Sequence, residues 1–336
     1  MFYLADDSGD VLVTPPELEA QLRNIRKYCD EAGAGEGYGA FVALRRPDWA
    51  RAREHLLTVS KRNKDTLDLL DRAILMVVLT ETSPSTEDDL LREVYAPRDA
   101  GSFWCDKGTS LVVTKNGLTG SVNDHAPYDA MVMVSCSFYG DVQVWKDRGK
   151  WESMDVVTWA GEPHELLLDL DAASERALQA GQQLWSVNRD AVALHSPLFT
   201  GFGRRRLRSF GLHPDTVVQL ALQLAYYRIH GAPAATYQTA TTRRFYHART
   251  ETIRSCTPEA VLWARSLLKE QEQVVTGGSW TPSQTVAELF AAAHKKHNWW
   301  RSECEAGRGC DRHLFGEYSP CGFHIDLRLI PQLPFY

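Results

Sequence analysis

The chain has 336 residues, 44% of them hydrophobic and 24% charged, which are globular values and enough length for two ordinary domains. Its formal net charge of −6 implies no general affinity for nucleic acid. No run of about 18 apolar residues marks a membrane-spanning helix, and Met1-Phe2-Tyr3-Leu4-Ala5-Asp6-Asp7 has neither the basic region nor the apolar core of a secretory signal.

Residues 2–13 alternate loosely and predict a strand hairpin around Ser8-Gly9-Asp10. Thr14-Pro15-Pro16-Glu17 is a helix start: a capping threonine, proline in the first turn and an acid three residues on. Leu18, Leu22, Ile25 and Tyr28 then predict one apolar face. A glycine-rich loop over Ala32–Gly39 leads to a helix over Asp48–Leu57 with Trp49 and Leu56 buried. Leu67–Leu79 reads as a largely apolar, buried segment, helix first and strand later. Ser85-Thr86-Glu87-Asp88 caps a helix running to Tyr95.

The most informative stretch follows. Leu111-Val112-Val113-Thr114 is a strand rich in β-branched residues, Asn116-Gly117 is the commonest two-residue hairpin turn, with φ > 0 at both positions, and Leu118–Val122 returns as the second strand. His125 sits where that strand ends, and Pro127 predicts the first turn of a helix through Met131, Met133 and Phe138. Asp129 is four residues on, spaced to orient the imidazole. Further along, His164–Leu170 is predicted as a strand, Ala172–Ser186 as a helix, and Arg189–Pro197 as a junction. Pro214–His230, closed by Gly231, Pro258–Gln273 and Pro282–Cys304 are predicted helices, and Ala234–Thr241 a strand.

Each motif has a plain structural reading. A lone histidine is more often structural than catalytic, and Asp129 reads equally as a helix-surface carboxylate. Phe202-Gly203-Arg204-Arg205-Arg206-Leu207-Arg208 is ordinarily a solvated basic loop. Because a helix start follows at His213-Pro214-Asp215, it also suits phosphate, which cationic side chains and unpaired backbone N–H groups both favour. The seven cysteines, odd in number and mostly scattered, are expected to be reduced thiols. Cys304, Cys310, His313, Cys321 and His324 cluster near the end, but Cys-x5-Cys-x2-His-x7-Cys-x2-His is not a common zinc spacing, so no metal is expected. A cysteine hydrolase pairing Cys105 or Cys136 with His125 has no supporting spacing.

Taken together, Phe103-Trp104-Cys105-Asp106-Lys107, Asn116-Gly117 and Asp124-His125-Ala126-Pro127-Tyr128-Asp129-Ala130-Met131 resemble the carnitine/choline acyltransferase family, most closely its peroxisomal, octanoyl-transferring branch. Leu212–Gly231, Thr236-Tyr237-Gln238-Thr239-Ala240, Arg249-Thr250-Glu251-Thr252-Ile253-Arg254 and Asp311-Arg312-His313-Leu314 extend the resemblance, which runs from Val11 to Gly316. It implies an α/β protein of two chloramphenicol-acetyltransferase-like domains, each partly represented. Residues 1–190 would be part of the first, with the catalytic histidine; 191–316 part of the second, with the coenzyme A and carnitine motifs; 317–336 reads as a divergent tail.

The activity so implied is reversible transfer of a medium-chain acyl group between coenzyme A and the hydroxyl of L-carnitine, in fatty acid metabolism. His125 is the general base, oriented by Asp129, and imidazole suits proton transfer in both directions at neutral pH. Arg204, Arg208 and Asp215 fall on coenzyme A positions, with arginine in place of the family's lysine, which keeps the charge but changes a point charge into a planar fork. Tyr237, Thr239 and Thr250 match positions that hold the carnitine carboxylate, and Arg312 matches an arginine that offsets its charge; choline has no carboxylate. Gln238 departs from the glutamate usual beside this tyrosine. Coenzyme A is a co-substrate, no cofactor is permanently bound, and a monomer in the peroxisome is expected, although no targeting signal is visible in Pro334-Phe335-Tyr336. Family members extend beyond both ends of the resemblance, and their Ser-Thr-Ser segment, which supplies an oxyanion donor, is expected outside it. The alternative reading is a truncated, non-catalytic product that binds coenzyme A or a partner.

Overall fold

The computed structural model describes residues 14–33, 35–147, 163–272 and 281–318, and the chain divides into two units, Met1–Pro197 and Leu198–Tyr336. The hairpin expected over residues 2–13, Cys321, His324 and most of the tail lie outside the described residues. Helix and sheet are mixed in both units. Among the described residues no helix is long and apolar enough to cross a membrane.

In the first unit, helix α1 (Pro15–Ala32) starts as its cap dictates: the Thr14 N–H donates to Glu17 Oε2 at 2.9 Å. Its buried residues are Glu17 and Gln21, not the predicted apolar face. Tyr28 is half exposed and donates its hydroxyl to Glu165 at 2.7 Å. A short 3-10 segment, Tyr38–Ala43, then runs through the core. Space there is tight enough to demand glycine: a Cβ on Gly39 would meet the Phe103 carbonyl oxygen at 2.0 Å, and one on Gly181 the Ala40 carbonyl oxygen at 2.1 Å. Helices α2 (Arg46–Val59) and α3 (Lys61–Arg72) pack Trp49, Leu56, Leu67 and Leu70 around Phe41. Trp49 stacks on Phe41 and meets Trp104 edge-on, with centroids 5.8 and 5.7 Å apart, and its indole N–H donates to Asp106 at 2.5 Å.

Strand β1 (Met76–Leu79) and helix α4 (Glu87–Tyr95, capped by Thr86) fall where the sequence placed them, though Ile74 just before β1 is exposed. Strand β2 (Thr109–Val113) pairs parallel to β1 and antiparallel to β3 (Thr119–Asn123). The β2–β3 turn differs from expectation. Only Gly117 has positive φ, at 82°; Gly117 N donates to Thr114 O, and Thr114 N to Leu118 O, both at 2.9 Å. This is the three-residue hairpin in which glycine takes the left-handed position. Asn116 contributes its side chain instead, donating from Nδ2 to Pro84 O at 2.9 Å.

Helix α5 (Ala130–Asp147) begins three residues after Pro127, which lies in a turn rather than in the helix. Residues 163–171 form no strand. Side chains take the place of a neighbouring strand: the buried Asn63 accepts from Asp169 N at 2.7 Å and donates to Asp169 O at 2.9 Å, Thr66 donates to Leu167 O at 2.8 Å, and Tyr38 to Leu168 O at 3.1 Å. Helix α6 (Ala172–Asp190) follows, with Asp171 accepting from Ala173 N and Ser174 N as its cap.

The second unit opens with α7 (Arg204–Ser209), so the predicted basic loop is a short helix. Gly211, at φ 70°, lets Leu212 N reach back to Leu207 O at 3.1 Å and end it. Helix α8 (Pro214–His230) has proline in its first turn and Gly231 at its left-handed end. Strands β4 (Tyr237–Thr241) and β5 (Thr250–Arg254) form an antiparallel pair; β5 falls in the polar run that the sequence left without secondary structure. Helices α9 (Pro258–Glu272) and α10 (Gln284–Glu305) close a core of Leu220, Trp263, Leu267 and Val286, while Ala240, Ile253 and Cys304 seal the sheet to α10. Helix α11 (Asp311–Tyr318) was not foreseen.

Candidate active site

The first constellation surrounds His125. As β3 ends, Asp124 N donates to Gly108 O at 3.0 Å, and the Asp124 carboxylate accepts from Ala126 N at 3.0 Å, which closes an Asx turn. The Tyr128 hydroxyl binds Gly108 O and Thr109 Oγ1, pinning the turn to β2. His125 and Asp129 are thereby brought together, with Nδ1 3.6 Å from Asp129 Oδ1. The histidine side chain is 78% exposed and the aspartate 12%. That separation gives electrostatic orientation rather than a tight hydrogen bond. His125 borders a cleft of about 610 Å³ with apolar walls from Tyr95, Val122, Met133, Val134 and Phe138. Cys105 is solvent-exposed, but partial desolvation of its thiol by surrounding atoms, and then the neighbouring Asp106, raise it above its usual range, which disfavours the thiolate a cysteine nucleophile needs.

The second constellation lies on the β4–β5 pair. Register puts Tyr237, Thr239, Thr241, Thr250, Thr252 and Arg254 on one face, and Gln238, Ala240, Glu251 and Ile253 on the other. Tyr237 and Thr239 are exposed and Thr250 half-buried. Arg312, at the start of α11, reaches Thr250 with Nε 3.4 Å from its carbonyl oxygen and Nη2 3.4 Å from its hydroxyl. Three further contacts hold this corner. Arg254 donates to Asp311 at 2.6 Å, and buried Glu251 accepts from Thr252 N at 2.7 Å and Arg312 N at 3.3 Å. A Cβ on Gly309 would stand 2.3 Å from Glu251 Cγ, so glycine is what allows the chain to pass over that carboxylate.

Arg204 and Arg208 are exposed on α7. Asp215, predicted alongside them, turns its carboxylate toward Gln238, whose Nε2 donates to it. Gln238 Oε1 in turn lies 2.9 Å from Nε2 of His297, which is fully buried on α10. The sequence reading missed His297 and the partners of Gln238; the only signal was the substituted glutamine itself. Beside this chain, His213 N donates to His294 Nε2 at 3.0 Å, and Thr216 donates to Asn298 at 3.0 Å. Cys304, considered as a zinc ligand, is fully buried and its thiol donates to Thr252 O at 3.3 Å. Burial and then Glu251 push that thiol up to about 11, which keeps it protonated at neutral pH.

Burial depresses the His297 imidazole, with Arg301, His213 and His294 adding to the effect and Asp215 opposing it; burial and His213 depress His294. A histidine whose folded pKa lies below its unfolded value takes up protons on unfolding. Its contribution to stability is present above about pH 6.5 and is lost as pH falls toward the folded value. The melting temperature is therefore expected to drop between pH 7.5 and 5.5, and to drop less in His297→Gln. Identical pH slopes for the two proteins would show that His297 does not titrate on unfolding.

The described residues thus hold a histidine–aspartate turn where β3 ends and a strand face carrying hydroxyls with Arg312 beside it. The family described as Choline/Carnitine o-acyltransferase matches residues 1–322, and the chain belongs to that family. It is 37% identical over 314 residues to human peroxisomal carnitine O-octanoyltransferase, covering 91% of this chain and 49% of that protein. It is 30% identical over 339 residues to the human liver isoform of carnitine O-palmitoyltransferase 1, covering 96% and 42%. Zebrafish choline O-acetyltransferase is 27% identical over 307 residues, covering 89% and 47%. The chain thus spans about half the length of the octanoyltransferases it matches.

Proposed function

We propose that this protein transfers a medium-chain acyl group between coenzyme A and the hydroxyl of L-carnitine. What carries the reading is the convergence on one side of β4–β5 of the Tyr237, Thr239 and Thr250 hydroxyls with Arg312 bonded to Thr250. Hydroxyl donors plus one cation suit a carboxylate, which carnitine has and choline lacks. The trimethylammonium needs no hydrogen bond and only loose aromatic or polar surroundings.

His125 serves as the base. With Nδ1 turned to Asp129, Nε2 takes the proton of the carnitine hydroxyl as its oxygen attacks the thioester carbonyl. The C–S bond then breaks and the proton passes to the departing sulfur, so His125 ends as it began. In reverse, the thiol of coenzyme A gives up its proton to the same nitrogen. Arg204 and Arg208 bind phosphate groups of coenzyme A as planar forks. The apolar walls of the cleft beside His125 suit an acyl chain. Each unit is read as part of a chloramphenicol-acetyltransferase-like domain. The protein works as a monomer without a permanent cofactor, and in the peroxisome, as the names of the octanoyltransferase relatives suggest.

The test is thiol release from octanoyl-coenzyme A by the purified protein with and without L-carnitine. Carnitine-dependent release is expected, with choline a poor substitute. Coenzyme A binding by a folded protein that releases no thiol would overturn the catalytic reading and leave a binding protein.

A further inference from the structure

We propose that Gln238 is a positioning residue: its side-chain amide clamps β4 between the start of α8 and the middle of α10 and so sets the Tyr237 and Thr239 hydroxyls at the carnitine carboxylate. The inference rests on the carnitine reading above, but its geometry lies on the opposite side of the strand. Tyr237 and Thr239 flank Gln238 in sequence, and alternation sends them to the face that Gln238 does not share.

Three observations define the clamp. His297 is 1% exposed, and its Nδ1 has no hydrogen-bond partner among the described residues. A proton on that nitrogen would be a buried, unsatisfied donor, so the proton belongs on Nε2, which donates to Gln238 Oε1 at 2.9 Å. This fixes which way the amide faces and leaves its Nε2 to donate to Asp215 Oδ2. Asp215 itself lies in the first turn of α8, whose cap residue His213 is bonded to His294 of α10. One amide therefore joins a strand, a helix start and a second helix, and both of its ends are used.

An amide serves both partners at once, accepting from His297 and donating to Asp215. A glutamate, the residue usual here in the family, can accept from His297 but can donate to Asp215 only by holding a proton between the two carboxylates, which weakens the link between β4 and α8. Methionine would fill the volume and lose both bonds. Displacing β4 by a fraction of an ångström misplaces two hydroxyl donors together, since both belong to the same five-residue strand.

The experiment compares wild type, Gln238→Glu, Gln238→Met and the double variant Gln238→Glu/Asp215→Asn. It reads KM for L-carnitine, KM for octanoyl-coenzyme A, kcat and melting temperature. Gln238→Glu is expected to raise the carnitine KM about tenfold, with a smaller change in kcat, and to lower the melting temperature. In the double variant the introduced asparagine amide can donate to the introduced glutamate, which restores the carnitine KM and the melting temperature; any loss from Asp215 itself falls on the coenzyme A KM. Gln238→Met raises the carnitine KM without introducing charge, and serves if Gln238→Glu does not fold. An unchanged carnitine KM in Gln238→Met, or a melting temperature restored in the double variant while the carnitine KM is not, overturns the positioning role. A wild type without carnitine-dependent turnover overturns the carnitine reading instead, and the melting temperatures then report on the clamp separately.

Discussion

His125→Ala is expected to lower kcat for carnitine-dependent thiol release by about 10²–10⁴-fold, the range that general-base groups supply, while the dissociation constant for coenzyme A stays within about twofold. His125 has a chemical part to play without being part of the scaffold. The imidazole is 78% exposed, so its loss opens no cavity. The turn that carries it is held by other groups: the Asp124 carboxylate on Ala126 N, and the Tyr128 hydroxyl on Gly108 O and Thr109. The variant should therefore fold, and its melting temperature should match that of the wild type. The loss should fall on kcat, because proton transfer matters in the transition state and not in binding. Imidazole in solution, added to His125→Ala, restores part of the rate if the missing group is a base. Turnover within tenfold of wild type would remove His125 from the chemistry.

The parts that were legible in the sequence are those set by local chemistry. The Thr14-Pro15-Pro16-Glu17 cap, the Thr86 cap and the Pro214 to Gly231 span each carry their start and stop signals within a few residues, and the helices follow them. The β2–β3 hairpin was legible in place but not in type. Asn116 could have entered the left-handed region, but its amide is bound to Pro84 O, and Gly117 alone makes the turn. Residues 164–170 have the composition of a strand, yet Asn63, Thr66 and Tyr38 supply the hydrogen bonds a sheet would have supplied. Such partners lie about a hundred residues away in the chain, and no local pattern announces them.

The candidate site divides in the same way. His125 and Asp129 were four residues apart, and their meeting required only a turn. The face shared by Tyr237, Thr239 and Thr250 required the strand β5, which no period-2 pattern announces: Glu251, Thr252 and Ile253 are all buried and only Arg254 is exposed. Asp215 was assigned to coenzyme A by resemblance alone. Its carboxylate accepts from Gln238, a relation that depends on β4 lying beside α8 and is not written in either segment alone. His297 sits among the alanines, lysines and tryptophans of α10, where one more histidine carries no signal until its neighbours are known.

Arg312 is where substrate choice should be measurable. Arg312→Gln is expected to raise the KM for L-carnitine by about 10- to 100-fold, the lower part of the range for losing one partner of a charged pair, because the guanidinium is solvent-exposed and screened. The effect on kcat should be smaller, since the carboxylate takes no part in the bonds made and broken and is bound equally in the ground and transition states. Arg312→Lys keeps the charge but not the fork, and falls between the two. Any turnover of choline should be unchanged, because choline offers no carboxylate for Arg312 to meet, so the preference for carnitine over choline falls by the same factor as the carnitine KM rises. The substitution also removes the donations to the carbonyl and hydroxyl of Thr250, both at 3.4 Å. Thr250→Val separates the two contributions. It deletes one hydroxyl donor while leaving the guanidinium, and should cost less than Arg312→Gln. A Thr250→Val defect as large as that of Arg312→Gln, or a choline rate that falls together with the carnitine rate, would mean that Arg312 only supports the β5–α11 corner and does not meet the substrate.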